Sequence, residues 1–292
     1  MELRVLEYFL AVAREKNISA AAKALHLSQP TLSRQLRNLE ESLGVTLFLR
    51  GKRQITLTEE GRILQKRAAE IVELVEKTTQ EIRGGQGSVA GDLYIGGGES
   101  AAMHLIFGVI KEMQTEEEQV RIHLFSGNAE DVAEKLENGL LDFGLFIHPA
   151  DTSAYDSIRL PVKDMWGVLM RKDSPLAEKE AITREDLYAL PLIISGQQRV
   201  EKEISEWMGR DISALQIVGQ YNLIYNASLL VKEKMGYALA LGGLIAPSEE
   251  NELLFRPLMP KLEAAVEIAW KKGQVFSKPA ARLKEALIKK FG

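Results

Sequence analysis

The loop Gly96-Gly97-Gly98-Glu99-Ser100-Ala101 is where residue type and spacing in this 292-residue chain come nearest to a reactive site. It fits G-x-G-x-x-A between an apolar run and a helical pattern, the fingerprint of a dinucleotide pyrophosphate site. Against that use, the next apolar run ends in Phe125-Ser126-Gly127, with no acid for ribose hydroxyls, and Glu99 would sit near the pyrophosphate. Gly98-Glu99-Ser100-Ala101-Ala102 also fits a hydrolase nucleophile elbow with its last Gly replaced, which would make Ser100 a serine nucleophile. Its strand is the first of its domain, however, so no upstream strand supplies an oxyanion loop. None of the downstream histidines (His104, His123, His148) lies in an Asp–His context. Binding suits the loop better: glycines ahead of a helix expose N–H groups and Ser100 adds a hydroxyl, together a site for an anion such as a carboxylate. The expectation is a binding protein, not an enzyme.

Composition narrows the chemistry further. With no cysteine, a disulfide framework, a Cys-ligated zinc and a thiol nucleophile are all excluded. The four histidines lack HxxxH or HExxH spacing, so no metal and no cofactor is expected. No stretch reaches the 18 or so apolar residues of a membrane span, and Met1-Glu2-Leu3-Arg4 does not open a secretory signal. The expected setting is cytoplasmic, with no membrane partner. At roughly 100–200 residues per domain, the length predicts two or three domains. Residues 1–58 carry nine Lys/Arg against five acids, a charge of +4, whereas the whole chain is −4, leaving −8 for the rest. A small basic head on a large acidic body implies that the head alone meets a polyanion.

Hydrophobic periodicity marks the helices and strands of the chain. Residues 3–14 form one apolar helical stripe; Ser19 is the expected N-cap of a short helix from Ala20 to Leu25, and His26-Leu27 makes a turn. Ser28 caps a third helix, tolerates Pro30 in its first turn and ends it at Gly44, with Leu32, Leu36, Leu39 and Leu43 as the buried stripe. At 100° per residue Pro30, Arg34 and Arg37 face away from that stripe, with Gln29 and Ser33 on its flanks. Gln can read adenine and Arg guanine in the major groove, while Ser and the helix start suit phosphates. Val45–Phe48 and Ile55–Leu57 can pair as a hairpin whose tip, Arg50-Gly51-Lys52-Arg53, suits a wing over phosphates.

The run Ala21-Ala22 … Leu25-His26-Leu27-Ser28-Gln29-Pro30-Thr31-Leu32-Ser33-Arg34-Gln35-Leu36 … Leu47-Phe48-Leu49-Arg50 … Leu57-Thr58-Glu59-Glu60-Gly61 resembles the LysR-type transcriptional regulators. The match is dense over residues 1–65 and weaker after residue 91. The resemblance implies an N-terminal winged helix-turn-helix, a long linker helix that dimerises, and a C-terminal two-lobed α/β effector domain like the periplasmic binding proteins. It implies DNA contacts at Ser28, Gln29, Pro30, Thr31, Ser33, Arg34, Arg37 and Arg50, with Lys52 and Arg53 in the wing. The partners it implies are a double-stranded DNA operator, a small-molecule effector, a second copy of the chain in a homodimer or tetramer, and RNA polymerase.

Thr58 can cap a helix running to about Arg83, roughly 37 Å long at 1.5 Å per residue. Leu64, Ala68, Ile71, Val75, Thr78 and Ile82 repeat at 4-3-4-3-4, a heptad seam expected to dimerise. Gly84–Ser88 marks the boundary. Beyond it Leu93–Ile95, Val120–Phe125, Phe143–Ile147, Trp166–Met170, Leu192–Ile194, Tyr237–Leu241 and Val266–Trp270 are candidate strands, alternating with helical patterns as in βαβ units. The expected divisions are 1–58, 59–90 and 91–292, with lobes at about 91–161 plus 266–292, and at 162–265. In the resembling family a Ser or Thr at the position of Ser100 contacts the effector. By the same layout Ser126, Asn128, His148, Ser195 and Asn226 face the cleft between lobes. The competing readings are the Ser100 hydrolase and a metabolite-binding protein whose head binds protein rather than DNA.

Overall fold

The computed structural model describes residues 1–51, 54–83, 90–116, 119–245 and 252–292. They fall into two compact units, Met1–Arg83 and Gly84–Gly292.

In the first unit α1 (Leu3–Glu15), α2 (Ile18–Ala24) and α3 (Gln29–Leu43) close around Leu6, Phe9, Val12, Ala21, Leu32 and Leu36. Asn17, and not Ser19, caps α2. Its backbone is extended and its side chain accepts from Ala20 N–H at 3.0 Å, whereas Ser19 already lies inside the helix. Ser28 caps α3, accepting from Thr31 N–H at 3.3 Å, and Gly44 ends it at φ 69°, where a side chain would be strained. Leu43 leaves the stripe and is exposed.

The hairpin is shorter than expected: β1 (Phe48–Arg50) and β2 (Ile55–Leu57) pair antiparallel, Phe48 opposite Leu57. Val45–Leu47 stays outside it because Leu47 and Phe48 both donate backbone N–H groups to the Glu40 carboxylate, at 2.7 and 3.2 Å. Helix α4 (Glu59–Arg83) starts where the Thr58 hydroxyl accepts from Gly61 N–H at 2.9 Å. A Cβ on Gly61 would fall 2.2 Å from the Leu47 carbonyl oxygen, so only glycine lets α4 approach the hairpin root.

The second unit opens with β3 (Gly91–Gly97), α5 (Met103–Glu116), β4 (Val120–Ser126), α6 (Ala129–Glu137) and β5 (Phe143–Ile147). Strand β3 pairs in parallel with both β4 and β5, as two βαβ units require. Then come the long β6 (Tyr155–Arg171), β7 (Ile182–Thr183), α7 (Arg184–Leu187), β8 (Leu192–Ser195), α8 (Gln198–Met208), β9 (Ile217–Tyr221), α9 (Ile224–Lys232) and β10 (Tyr237–Leu241). After them β11 (Leu253–Met259), β12 (Glu263–Lys271) and α10 (Lys278–Phe291) close the chain. The main path of the sheet runs β4-β3-β5-β12-β6-β10-β8-β9 among the described residues.

Strand β6 belongs to both lobes. Its first part, to Met165, pairs antiparallel with β12, and its end, from Trp166, pairs with β10 and β11. Each lobe has its own core, one around Leu93, Ile95, Phe143 and Val266, the other around Val168, Leu192, Ile204 and Leu239. The chain therefore crosses between lobes at Met165–Trp166 and again between Met259 and Glu263, a few residues inside the limits expected from sequence.

Candidate nucleic-acid interface and ligand cleft

Helix α3 presents Gln29, Pro30, Arg34 and Arg37 to solvent, and neither arginine is held in an ion pair among the described residues. Thr31 is half-buried, and its hydroxyl lies 2.7 Å from that of Ser28, so this pair organises the helix start. Ser33 departs from expectation: it is buried with Leu32 and Leu36 and does not reach the outer face. Arg50 ends β1, but its side chain, like Lys52 and Arg53, lies outside the described residues.

The expected heptad seam on α4 divides in two. Ala68 is fully buried in the head core, with Leu64 and Val72 packed beside it, so these positions seal α4 to the first unit. Ile71, Val75 and Ile82 remain open, 38%, 40% and 79% exposed, and Leu74 joins them at 39%. Thr78 is also exposed, its hydroxyl turned back to the Leu74 carbonyl at 2.7 Å.

Between the lobes of the second unit lies a cleft that is partly open to solvent. Of the residues expected to face it, Asn128, His148 and Ser195 line it, whereas Ser100, Ser126 and Asn226 do not. Ser126 is exposed at the end of β4, and Asn226 is exposed on the outer side of α9. Ser100 is the larger correction. It is buried, and its hydroxyl donates to Asp164 on β6 at 2.6 Å while accepting from Ala102 N–H at 3.0 Å. That hydroxyl is committed to a carboxylate, and no histidine partners it among the described residues. Burial holds the Asp164 carboxyl above the usual carboxylate range, against the opposing pull of the Ser100 bond.

The three residues that do meet in the cleft come from strand ends and helix starts. Asn128 forms a capping box on α6, accepting from Asp131 N–H at 2.9 Å, while Asp131 accepts from Asn128 N–H at 3.1 Å. His148 places Nε2 3.2 Å from Glu267, too poorly aligned for a hydrogen bond. Although burial pushes the Glu267 carboxyl upward, hydrogen bonds from Thr152 and Ser157 and the nearby His148 hold it below its ordinary value. Ser195, at the end of β8, meets Gln197 Nε2 at 3.3 Å.

Several cleft residues were not anticipated. Glu99 reaches across from the Gly-rich loop and accepts the backbone N–H of Ile224, the first residue of α9, at 2.5 Å. Gln197 answers from the other lobe, its side-chain oxygen accepting from Ala129 N–H at 3.3 Å, and outside the cleft Arg199 pairs with Asp151 at 3.3 Å. Trp166 and Tyr221 complete the walls. Burial, and then the charge of Glu99, push the Tyr221 phenol well above its ordinary value; its hydroxyl donates to the Leu239 carbonyl at 2.7 Å. Only Glu99 carried a signal in the sequence, as the acid inside the Gly-rich motif.

Residues 3–62 match the description "Bacterial regulatory helix-turn-helix protein, lysR family", and residues 86–292 match "LysR substrate binding domain". The Hca operon transcriptional activator HcaR of Escherichia coli (strain K12) is 32% identical over 97% of this chain and 95% of its own length. Crystal structures of CbnR, a LysR family transcriptional regulator, share the fold at 20% identity. The free form covers all of both chains at a TM-score of 0.80, and the form complexed with its target DNA covers 99% of both at 0.77. A capped helix with outward arginines, a paired β-hairpin and a two-lobed α/β body thus occur in one chain whose two segments match the family's two domains. The chain belongs to the LysR family of DNA-binding transcriptional regulators, with a helix-turn-helix head and a substrate-binding effector domain.

Proposed function

We propose that α3 reads operator DNA through Gln29, Arg34 and Arg37, with the Ser28–Thr31 pair and Pro30 fixing the helix start near the phosphates. The observation that carries this reading is the outer face of α3, where both arginines are exposed and unpaired among the described residues. An exposed guanidinium with no internal partner is free for the bidentate contact that guanine offers. The CbnR structure with its target DNA supports a DNA complex for a chain of this fold. We assign homodimerisation to the open stripe Ile71, Leu74, Val75 and Ile82 on α4, and effector binding to the inter-lobe cleft with Asn128, His148 and Ser195. A ligand that favours one arrangement of the lobes shifts the equilibrium between assemblies that space the two reading helices differently. The setting is the cell interior, where the DNA is. The test is binding of the full chain to a duplex selected from random sequence, followed against salt. The expected result is a steep fall of log K with log salt, plus a sequence-specific component removed by Arg34→Ala. Binding that ignores salt refers the head to a protein partner instead.

A further inference from the structure

We infer that the cleft of this chain takes an apolar ligand bearing hydrogen-bond donors, uncharged or cationic (an amide, amine or amidine), and rejects carboxylates. This rests on the cleft being the effector site, as proposed above. Three observations carry it.

First, at the places where an anion would be held, the protein supplies acceptors of its own. The N–H of Ile224 at the start of α9 is taken by Glu99. The start of α6 is taken by Asn128, Asp131 and Gln197, and the turn before α5 by Ser100. Second, no Lys or Arg lines the cleft among the described residues. A carboxylate entering it would lose its water with no cation to replace it, which is strongly unfavourable. Third, the charged group that Glu99 brings to the wall is itself a carboxylate, with one oxygen bound to Ile224 and the other without a partner among the described residues. At this range it repels an anion and attracts a donor. His148 does not reverse the sign, because the Glu267 carboxylate stands 3.2 Å from its Nε2. The remaining wall, with Leu145, Ile147, Val200 and Leu241, is apolar and asks for a compact hydrocarbon or aromatic body.

Benzamidine, benzamide and benzoate have nearly one shape and differ in charge, so they separate these terms. Each is titrated by calorimetry into the full-length protein, alongside Glu99→Gln. The expected result is that benzamidine binds at least about tenfold more tightly than benzoate, with benzamide between them. Glu99→Gln should weaken benzamidine by about tenfold or more, as loss of a hydrogen bond to a charged group does. The ranking in the unmutated protein stands even if that variant folds poorly. Benzoate binding as well as benzamidine overturns the charge preference and leaves the cleft as the effector site. A benzamidine preference that survives Glu99→Gln assigns the binding elsewhere and overturns the inference. Binding by none of the three overturns both the inference and the assignment of the cleft.

Discussion

Replacing Ser100 by Ala tests whether that hydroxyl serves the fold or a ligand. Ser100 and Asp164 are both buried, 8% and 7% exposed, and joined at 2.6 Å. Without the hydroxyl, a buried carboxylate loses its hydrogen-bond partner, and a charge-assisted bond of this kind contributes about 1.5–3 kcal/mol. The expected destabilisation at neutral pH is therefore about 1.5–3 kcal/mol, from a residue that touches nothing in the cleft. The cost must also depend on pH. Burial already raises the Asp164 pKa above its unfolded value, and removing the Ser100 bond raises it further. A raised carboxyl contributes stability that is fully present below the unfolded pKa and is lost as pH rises through the folded pKa. The deficit of Ser100→Ala should accordingly shrink as pH falls and Asp164 protonates. Asp164→Asn, which removes the disfavoured charge, should be at least as stable as the native chain at pH 7, with any gain fading in acid. Urea unfolding followed by tryptophan fluorescence is the assay, because Trp166, Trp207 and Trp270 all lie in the second unit and report on it alone. A Ser100→Ala deficit under about 0.5 kcal/mol at pH 7, where surface substitutions fall, would refute the reasoning. So would a deficit equally large in acid.

The head offers four further tests. Arg34→Ala should weaken binding to a selected operator by about 1–3 kcal/mol while sparing non-specific DNA, as measured by fluorescence anisotropy. Ser28→Ala removes the α3 cap and should lower the stability of the first unit by about 1 kcal/mol, read from far-ultraviolet circular dichroism. Ile71→Glu should shift the chain toward monomer in sedimentation velocity without loss of helix. Ala68→Leu, by contrast, overfills a site with no exposed surface and should destabilise the head by about 1–3 kcal/mol.

Much of the head was legible because its information is local. The Ser28 cap, the Gly44 stop and the leucines at 4-3 spacing each act within a turn or two, so residue order states the geometry directly. The errors there arose where a neighbour in space competed with local order. Asn17 took the cap from Ser19 because it alone had the extended backbone, and the Glu40 carboxylate kept Leu47 out of the hairpin. Leu64 and Ala68 continue the heptad of Ile71 and Val75 without a break in spacing. The periodicity marks one face of α4 but does not state that the head covers its first half.

In the second unit the apolar runs marked the strands, and the missed stretches were those whose composition hides them. The first half of β6 alternates with Ser157, Arg159 and Lys163 on its exposed face, and β11 carries Pro257. The cleft was harder to read, because its chemistry is set by pairs remote in sequence. Ser100 meets Asp164 across 64 positions, and Glu99 meets Ile224 across 125. The Gly-rich loop indicated an open anion site on local grounds: free N–H groups, a hydroxyl, a helix to follow. Folding brings Asp164 to the hydroxyl and carries Glu99 to a different helix start, so the acid that argued against a pyrophosphate also argues against a carboxylate ligand. A loop's own sequence shows which donors it holds. Which of them stay free depends on acceptors that arrive from elsewhere in the chain, and here the acceptors are carboxylates of the protein itself.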